Sequence, residues 1–149
     1  MKKISIVTPT FNEEENIERL CEEIKLEAQS LNYDYEHIII DNCSTDRTLE
    51  KLKAISSKDK NVKIIVNSRN YGHLKSPFHG ILQTDGDACI LMVSDFQEPI
   101  YLISKYIKKW EDGAKIVLGE KNTSEENSVM FSLRKLFYTL LNKISETKL

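Results

Sequence analysis

Four polar segments carry the residues of this sequence that could do chemistry, and each directly follows a short apolar run. They are Thr8-Pro9-Thr10-Phe11-Asn12-Glu13-Glu14, Asp41-Asn42-Cys43-Ser44-Thr45-Asp46-Arg47-Thr48, Asn67-Ser68-Arg69-Asn70-Tyr71-Gly72 and Ser94-Asp95-Phe96-Gln97-Glu98-Pro99. An aromatic ring beside a carboxylate, as with Phe11 and Asp41, can stack on a nucleobase and hydrogen-bond it. A carboxylate and a carboxamide oxygen at i and i+2, as at Asp95 and Gln97, offer two hard oxygens to a divalent cation, which would in turn neutralise a diphosphate. Taken singly, the pieces are ordinary. Asn12, Ser44 and Thr45 are common helix N-caps, Phe11 could be a core ring, and Arg69 a solvated surface charge. His73 and His79 lie in one stretch with no third metal ligand nearby, and Met92 and Trp110 read as core.

The runs that must position these segments alternate between strand and helix patterns. Ile4 to Thr8, Glu36 to Ile40, Val62 to Val66, Ala88 to Val93 and Lys115 to Leu118 read as strands, being short, apolar and largely β-branched. Between them, Glu14 to Ser30 places Ile17, Leu20, Cys21, Ile24 and Ala28 at helical spacing. Thr45 to Ile55, Ser76 to Gln83 and Ile100 to Trp110 follow the same pattern. Val129 to Ile144 closes the chain, with Met130, Arg134, Phe137, Leu141 and Ile144 on one face. Asn12 with Glu15 has the form of a capping box for the first helix. Continuously apolar strands alternating with helices predict an α/β fold, a mostly parallel sheet with helices on both faces. In such sheets ligands bind beyond the carboxyl ends of the strands, near a topological switch point. All four polar segments lie there.

Composition narrows the classes. The chain has 149 residues, 21 Lys+Arg against 23 Asp+Glu, a net charge of −2 and 40% hydrophobic residues. A chain of about 150 residues buries roughly 70% of its unfolded surface, enough for one domain over residues 1–149. The balanced charge argues against a nucleic-acid partner, and no apolar run approaches the roughly 20 residues of a membrane span. Met1-Lys2-Lys3 leads straight into a strand pattern rather than a signal segment. Cys21, Cys43 and Cys89, three and widely spaced, read as reduced core or turn thiols of a cytoplasmic protein.

In order and spacing, the segments resemble the family 2 glycosyltransferases, inverting enzymes of the Rossmann-like GT-A fold. Ile6 to Glu13 resembles that family's first strand and nucleotide loop. Asp41-Asn42-Cys43-Ser44-Thr45-Asp46 is similar to its Asp-Asp-Gly-Ser-x-Asp signature, and Arg69-Asn70-Tyr71-Gly72 to its Arg-Asn-x-Gly loop. Gly86-Asp87 with Ser94 to Pro99 resembles the dolichyl-phosphate mannose synthase-like branch. The resemblance runs from Ile4 to about Ile144.

It implies a nucleotide-sugar-binding domain that moves a hexose from a nucleotide-diphosphate sugar to a polyprenyl phosphate, in cell-envelope glycan synthesis. Pro9, Thr10, Phe11, Asn12, Asp41, Asn42, Arg69 and Asp95 would bind the nucleotide, with Phe11, Asp41 and Asn42 selecting the base. Asp95 and Gln97 would hold Mg²⁺ or Mn²⁺ from one side of an extended turn, and Lys121 and Arg134 would clamp phosphate. Members of this branch are usually longer and often end in membrane helices. The resemblance therefore implies a longer protein in peripheral contact with the inner face of the membrane, with a homodimer compatible.

Three positions depart from the family pattern. Asn42 stands for the second Asp, Val93 for the first Asp of Asp-x-Asp, and Lys121 for an Arg, keeping its charge but losing the bidentate fork. The alternative they leave open is a nucleotide-binding module without turnover, acting with a partner subunit. A flavodoxin-like signalling domain would need a phosphorylatable Asp after the third strand, where this chain has Asn67.

Overall fold

A computed structural model describes residues 1–119 together with Phe131 and Phe137. The chain divides into a unit of Met1–Val117 and one of Leu118–Leu149. The predicted helix Val129 to Ile144, with Lys121 and Arg134, lies outside the described residues, apart from Phe131 and Phe137, which are helical.

In the first unit, β1 (Lys3–Thr10), β2 (Asp34–Asp41), β3 (Val62–Val66) and β4 (Ala88–Leu91) alternate with α1 (Ile17–Ser30), α2 (Thr48–Ser56), α3 (Gly72–Ile81) and α4 (Leu102–Glu111). The strands form one parallel sheet in the order β3-β2-β1-β4. The chain moves outward from β1 to β3, then crosses back over β1 to β4. Right-handed crossovers require helices of opposite travel to lie on opposite faces. Accordingly Ile17, Leu20, Ile24 and Ala28 of α1, Leu52 of α2, and Ile103 and Ile107 of α4 pack with Ile4, Ile6 and Ile39 on one face. Val7, Ile38 and Ile40 form the core of the other. There α3 approaches so closely that a Cβ on Gly80 would sit 2.1 Å from Ile40 Cδ1 and 2.8 Å from Val7 Cγ1. The expected α/β architecture, helices on both faces, is present.

Several boundaries differ from the sequence reading. Lys115 to Leu118 is not a strand; Ile116 and Leu118 are exposed, and none of these residues joins the ladder. A strand is stabilised by a neighbour that takes its N–H and C=O groups, which periodicity does not report. The capping box is absent. Asn12 has φ of 55° and turns to the β2–α2 loop, while α1 begins only at Ile17 with Asn16 as a cap whose side chain bonds no helix N–H and donates instead to Glu13 Oε2 at 2.9 Å. β4 ends at Leu91 rather than Val93, and α3 starts at Gly72 rather than Ser76, with Pro77 beyond its first turn. Cys21 is buried in the core, which pushes its thiol up to about 12.

At the amino ends of the strands, Glu36 is 2% exposed and ties four segments together. Its carboxylate accepts hydrogen bonds from Ser5 Oγ (2.6 Å) and Asp85 N (3.2 Å), and pairs with Lys63 Nζ (2.5 Å) and Lys3 Nζ (3.0 Å). Burial alone would raise its pKa; the bonds from Lys63, Ser5 and Lys3 hold it well below the usual carboxylate range. The Gly86-Asp87 pair belongs to this end too, with Gly86 N donating to Ser5 Oγ and Asp87 N to Lys3 O. A Cβ on Gly86 would meet the Ser5 nitrogen at 2.8 Å and the Lys3 oxygen at 2.9 Å, both backbone. Gly86→Ala is therefore expected to destabilise the fold by about 1–3 kcal/mol, the usual range for overpacking. Urea unfolding reads it, and an unchanged midpoint would mean that β4 can shift freely against β1.

Candidate functional site

A cleft of 420 Å³ opens at the carboxyl ends of the strands, lined by Pro9, Thr10 and Phe11 after β1, Asn42 after β2, and Val93, Ser94 and Asp95 after β4. Asn70, Gly72, His73 and Ser76, from the β3–α3 connection and α3, complete it with Glu13. Its volume lies within the span of small-ligand sites. It sits between β1 and β4, where the order of strands reverses, as the sheet topology requires. A second hollow of 490 Å³ lies at the opposite, amino end of the sheet, where Lys3 and Lys63 are paired to Glu36.

The sequence-predicted residues divide into those that reach the cleft and those that build it. Phe11 is 43% exposed, a ring available for stacking. Thr10 is 3% exposed, and its hydroxyl has no hydrogen-bond partner among the described residues. Asp95 is exposed at the rim. Its Oδ1 accepts the Gln97 N–H at 3.1 Å, while Gln97 itself does not line the cleft. The expected extended turn is replaced by a series of bends, because Phe96 takes φ of 56° between the two. Such a conformation is rare for a bulky side chain and clusters at functional sites. The Phe96 ring is half-buried against the core, and the Arg19 guanidinium lies 4.6 Å from its centroid.

Asn12 and Asp41 do not line the cleft. Asn12 Oδ1 accepts from Thr45 N at 2.8 Å, and its own N–H donates to Ser44 Oγ at 3.0 Å. Glu13 N donates to Thr48 Oγ1 (2.8 Å), Glu14 N to Asp46 Oδ2 (3.2 Å) and Arg47 N to Glu14 Oε2 (2.9 Å). The Asp41-to-Asp46 segment is thus largely a latch holding the loops after β1 and β2 in register. Burial would raise the Asp46 pKa, but bonds from the Thr48 hydroxyl and backbone bring it below the ordinary carboxylate value. Asp41 is fully buried, with both carboxylate oxygens 3.3 Å from the Ser44 N–H. Cys43 has φ of 67°, the left-handed region that favours glycine. This accounts for the glycine of the signature that it resembles.

Arg69 is exposed outside the cleft lining, its guanidinium 4.9 Å from the centre of the Tyr71 ring. The Ser68 hydroxyl and Arg69 lower the Tyr71 phenol. Asn70, His73, Ser76 and Glu13 face the cleft without having been picked out from sequence. Asn70 was at least legible within the Arg69-to-Gly72 motif, whereas His73 and Ser76 required knowing that α3 begins at Gly72. Among the described residues no three His, Cys, Asp or Glu side chains form a metal cage. Asp95 is the one carboxylate that the β4 end supplies to the cleft, which suits a hard cation completing its shell with phosphate and water.

The sequence model of the family described as Glycosyl transferase family 2 matches residues 5–148. The bactoprenol glucosyl transferase of Shigella phage SfX is 34% identical over 148 residues, 99% of this chain and 48% of that protein. The dolichol-phosphate mannosyltransferase of Pyrococcus furiosus is 36% identical over 119 residues, 80% of this chain and 33% of that protein. The chain thus spans half or less of the length of the curated relatives it matches. Among solved structures, the glucosyl-3-phosphoglycerate synthase of Mycobacterium tuberculosis with Mn²⁺, UDP-glucose and phosphoglyceric acid superposes with a TM-score of 0.64 at 24% identity. That match covers 93% of this chain and 50% of that one, a likeness of fold.

Proposed function

The chain belongs to glycosyl transferase family 2, and on that footing we propose that its cleft binds a nucleotide-diphosphate sugar whose hexose passes, with inversion, to a polyprenyl phosphate. The observation that carries this reading is the meeting of Thr10, Phe11 and Asp95 in one cleft at the switch point of the sheet. The exposed Phe11 ring stacks on the base. The Thr10 hydroxyl, buried and unpartnered, takes a polar atom of the nucleoside. Asp95 would hold Mg²⁺ or Mn²⁺, which when bound would supply positive charge to the diphosphate leaving group. Gln97 stands beside it in sequence but does not line the cleft, so Asp95 is the principal ligand. Arg69, one residue before the cleft-lining Asn70, reaches a phosphate, and Lys121 and Arg134 serve as further phosphate clamps.

The acceptor class is supported by the names of the two relatives, bactoprenol glucosyl transferase and dolichol-phosphate mannosyltransferase. A phosphate oxygen is already ionised at neutral pH, so the chain need supply no general base. Its task is positioning and charge stabilisation. Such an acceptor stays in the bilayer, so the proposed reaction runs at a membrane surface, for which we propose the inner face. Among the described residues no helix is long and apolar enough to cross one.

The test is a thermal-shift panel of UDP- and GDP-sugars with and without Mn²⁺, followed by transfer to detergent-dispersed undecaprenyl phosphate. A ligand at about 100 times its Kd stabilises by about 2.7 kcal/mol. One nucleotide sugar is expected to shift the transition in a Mn²⁺-dependent way and to give a product of inverted anomeric configuration. No shift with any nucleotide sugar at millimolar concentration would end the proposal. Binding without transfer would favour the second reading, a non-catalytic module, which Val93 in the cleft wall also favours.

A further inference from the structure

We propose that Asn42 is a positioning residue, a carboxamide that locks the Arg69–Gly72 loop in one geometry and does not read the base. Two backbone N–H groups fix the orientation of both amides involved. Asn42 Oδ1 accepts from Tyr71 N at 3.0 Å, so that atom must be the oxygen, and it also accepts from Asn67 Nδ2 at 3.0 Å. Asn70 Oδ1 accepts from Gly72 N at 2.8 Å, so it too is an oxygen, and Asn42 Nδ2 donates to it at 2.9 Å. Asn67 Nδ2 in turn donates to Ser76 Oγ at 3.1 Å, extending the network into α3. Asn42 is 6% exposed and Asn67 8%. Both polar atoms of Asn42 therefore already bond within the protein, the oxygen twice and the nitrogen through one of its two N–H groups, in a low-exposure setting where an unmade bond is costly.

The lock demands a donor and an acceptor on one side chain at position 42, which only a carboxamide of this length supplies. An aspartate there keeps the bonds from Tyr71 and Asn67 but sets a carboxylate oxygen against Asn70 Oδ1, 2.9 Å from where the donor stood. Asn70 then rotates to present its own NH₂, and the Gly72 N–H loses its acceptor. The reverse change is harmless to the network. Asn70→Asp retains an oxygen for both Asn42 Nδ2 and Gly72 N. The two Asn-to-Asp changes are thus chemically alike and structurally opposite.

Amide hydrogen exchange read by NMR tests this without reference to activity. In Asn42→Asp the Gly72 amide is expected to exchange about tenfold faster or more, one hydrogen bond's worth, while Tyr71 stays protected. In Asn70→Asp both stay protected. In Asn70→Ala, Gly72 alone is released. Retained Gly72 protection in Asn42→Asp, or its loss in Asn70→Asp, would overturn the lock. If Asn42→Asp does not fold, the Asn70 pair decides.

The consequence for ligands rests on the nucleotide-binding reading above. Asn42→Asp should weaken UDP and GDP in parallel with no change in their ranking, and a re-ranking would return Asn42 to base recognition. If the wild-type chain binds neither nucleotide, that reading fails, and the amide pattern still judges the lock.

Discussion

Replacing Asp95 by Asn is expected to abolish the Mn²⁺-dependent part of nucleotide binding while leaving the fold intact. Asp95 is exposed at the rim of the cleft, and its one bond among the described residues is from the Gln97 N–H to Oδ1, which an Asn oxygen can accept equally well. The substitution therefore removes a charge and little else. With Val93 at the position two residues earlier, no second β4-end carboxylate can take its place in the cleft. Loss of even an outer-shell partner of a metal ligand typically costs about 10- to 100-fold in metal affinity, and the ligand itself should cost at least that much. Calorimetric titration of UDP and GDP with Mn²⁺ into both proteins measures it. Wild type is expected to bind metal poorly alone and well with nucleotide. Equal, metal-independent binding by both proteins would remove Asp95 from the site.

A second large effect is expected from acid. His37 is 1% exposed in the central strand β2, its Nε2 bonded to Thr8 Oγ1 at 2.9 Å. Burial drives its pKa down to about 4, and Asp59 offsets this only in part. The folded state thus refuses a proton that the unfolded chain accepts at about pH 6.5. Where the unfolded state binds more protons, stability rises with pH. The contribution of neutral His37 is complete above pH 6.5, falls as the pH drops below it, and levels off near pH 4.

A depression of that size corresponds to roughly 3 kcal/mol, a large share of the total of about 5–15 kcal/mol for a domain. Glu36, whose pKa is lowered from the ordinary carboxylate value, adds its own loss only below about pH 4.3. The window between pH 6.5 and 4.5 therefore isolates His37. Urea unfolding across it should show wild type losing stability while His37→Gln, which cannot titrate, stays nearly flat. Parallel curves for the two proteins would place the acid sensitivity elsewhere.

What could be read in the linear chain was whatever depends on residue type and short-range order. The apolar runs of β1 to β4 and the helical spacing of Ile17, Leu20, Ile24 and Ala28 announced a parallel α/β sheet, because strands buried on both faces must be apolar throughout. The polar segments after each run pointed to the cleft edge for the same reason. Pro9, Thr10, Phe11, Asn42 and Asp95 do line it.

What spacing could not give was partnership. Lys115 to Leu118 has strand composition and is no strand. Asn12 has the form of a cap and is a latch to Thr45. Asp41 carries the signature carboxylate and is buried beneath the Ser44 N–H. For Asn12 the deciding group lies on another segment, brought near by a crossover that no local pattern encodes; for Asp41 the partner is local, and what the fold adds is complete burial. Asn42 shows the difference most sharply. Its letter differs from the family's by one oxygen exchanged for a nitrogen, and in isolation that reads as a change in base preference. Only when Tyr71, Asn70 and Asn67 from the β3–α3 connection close around it does the nitrogen acquire an acceptor. Hydrogen bonds are directional and need both partners in place, so residue types are written in the sequence while their pairing is settled by the fold.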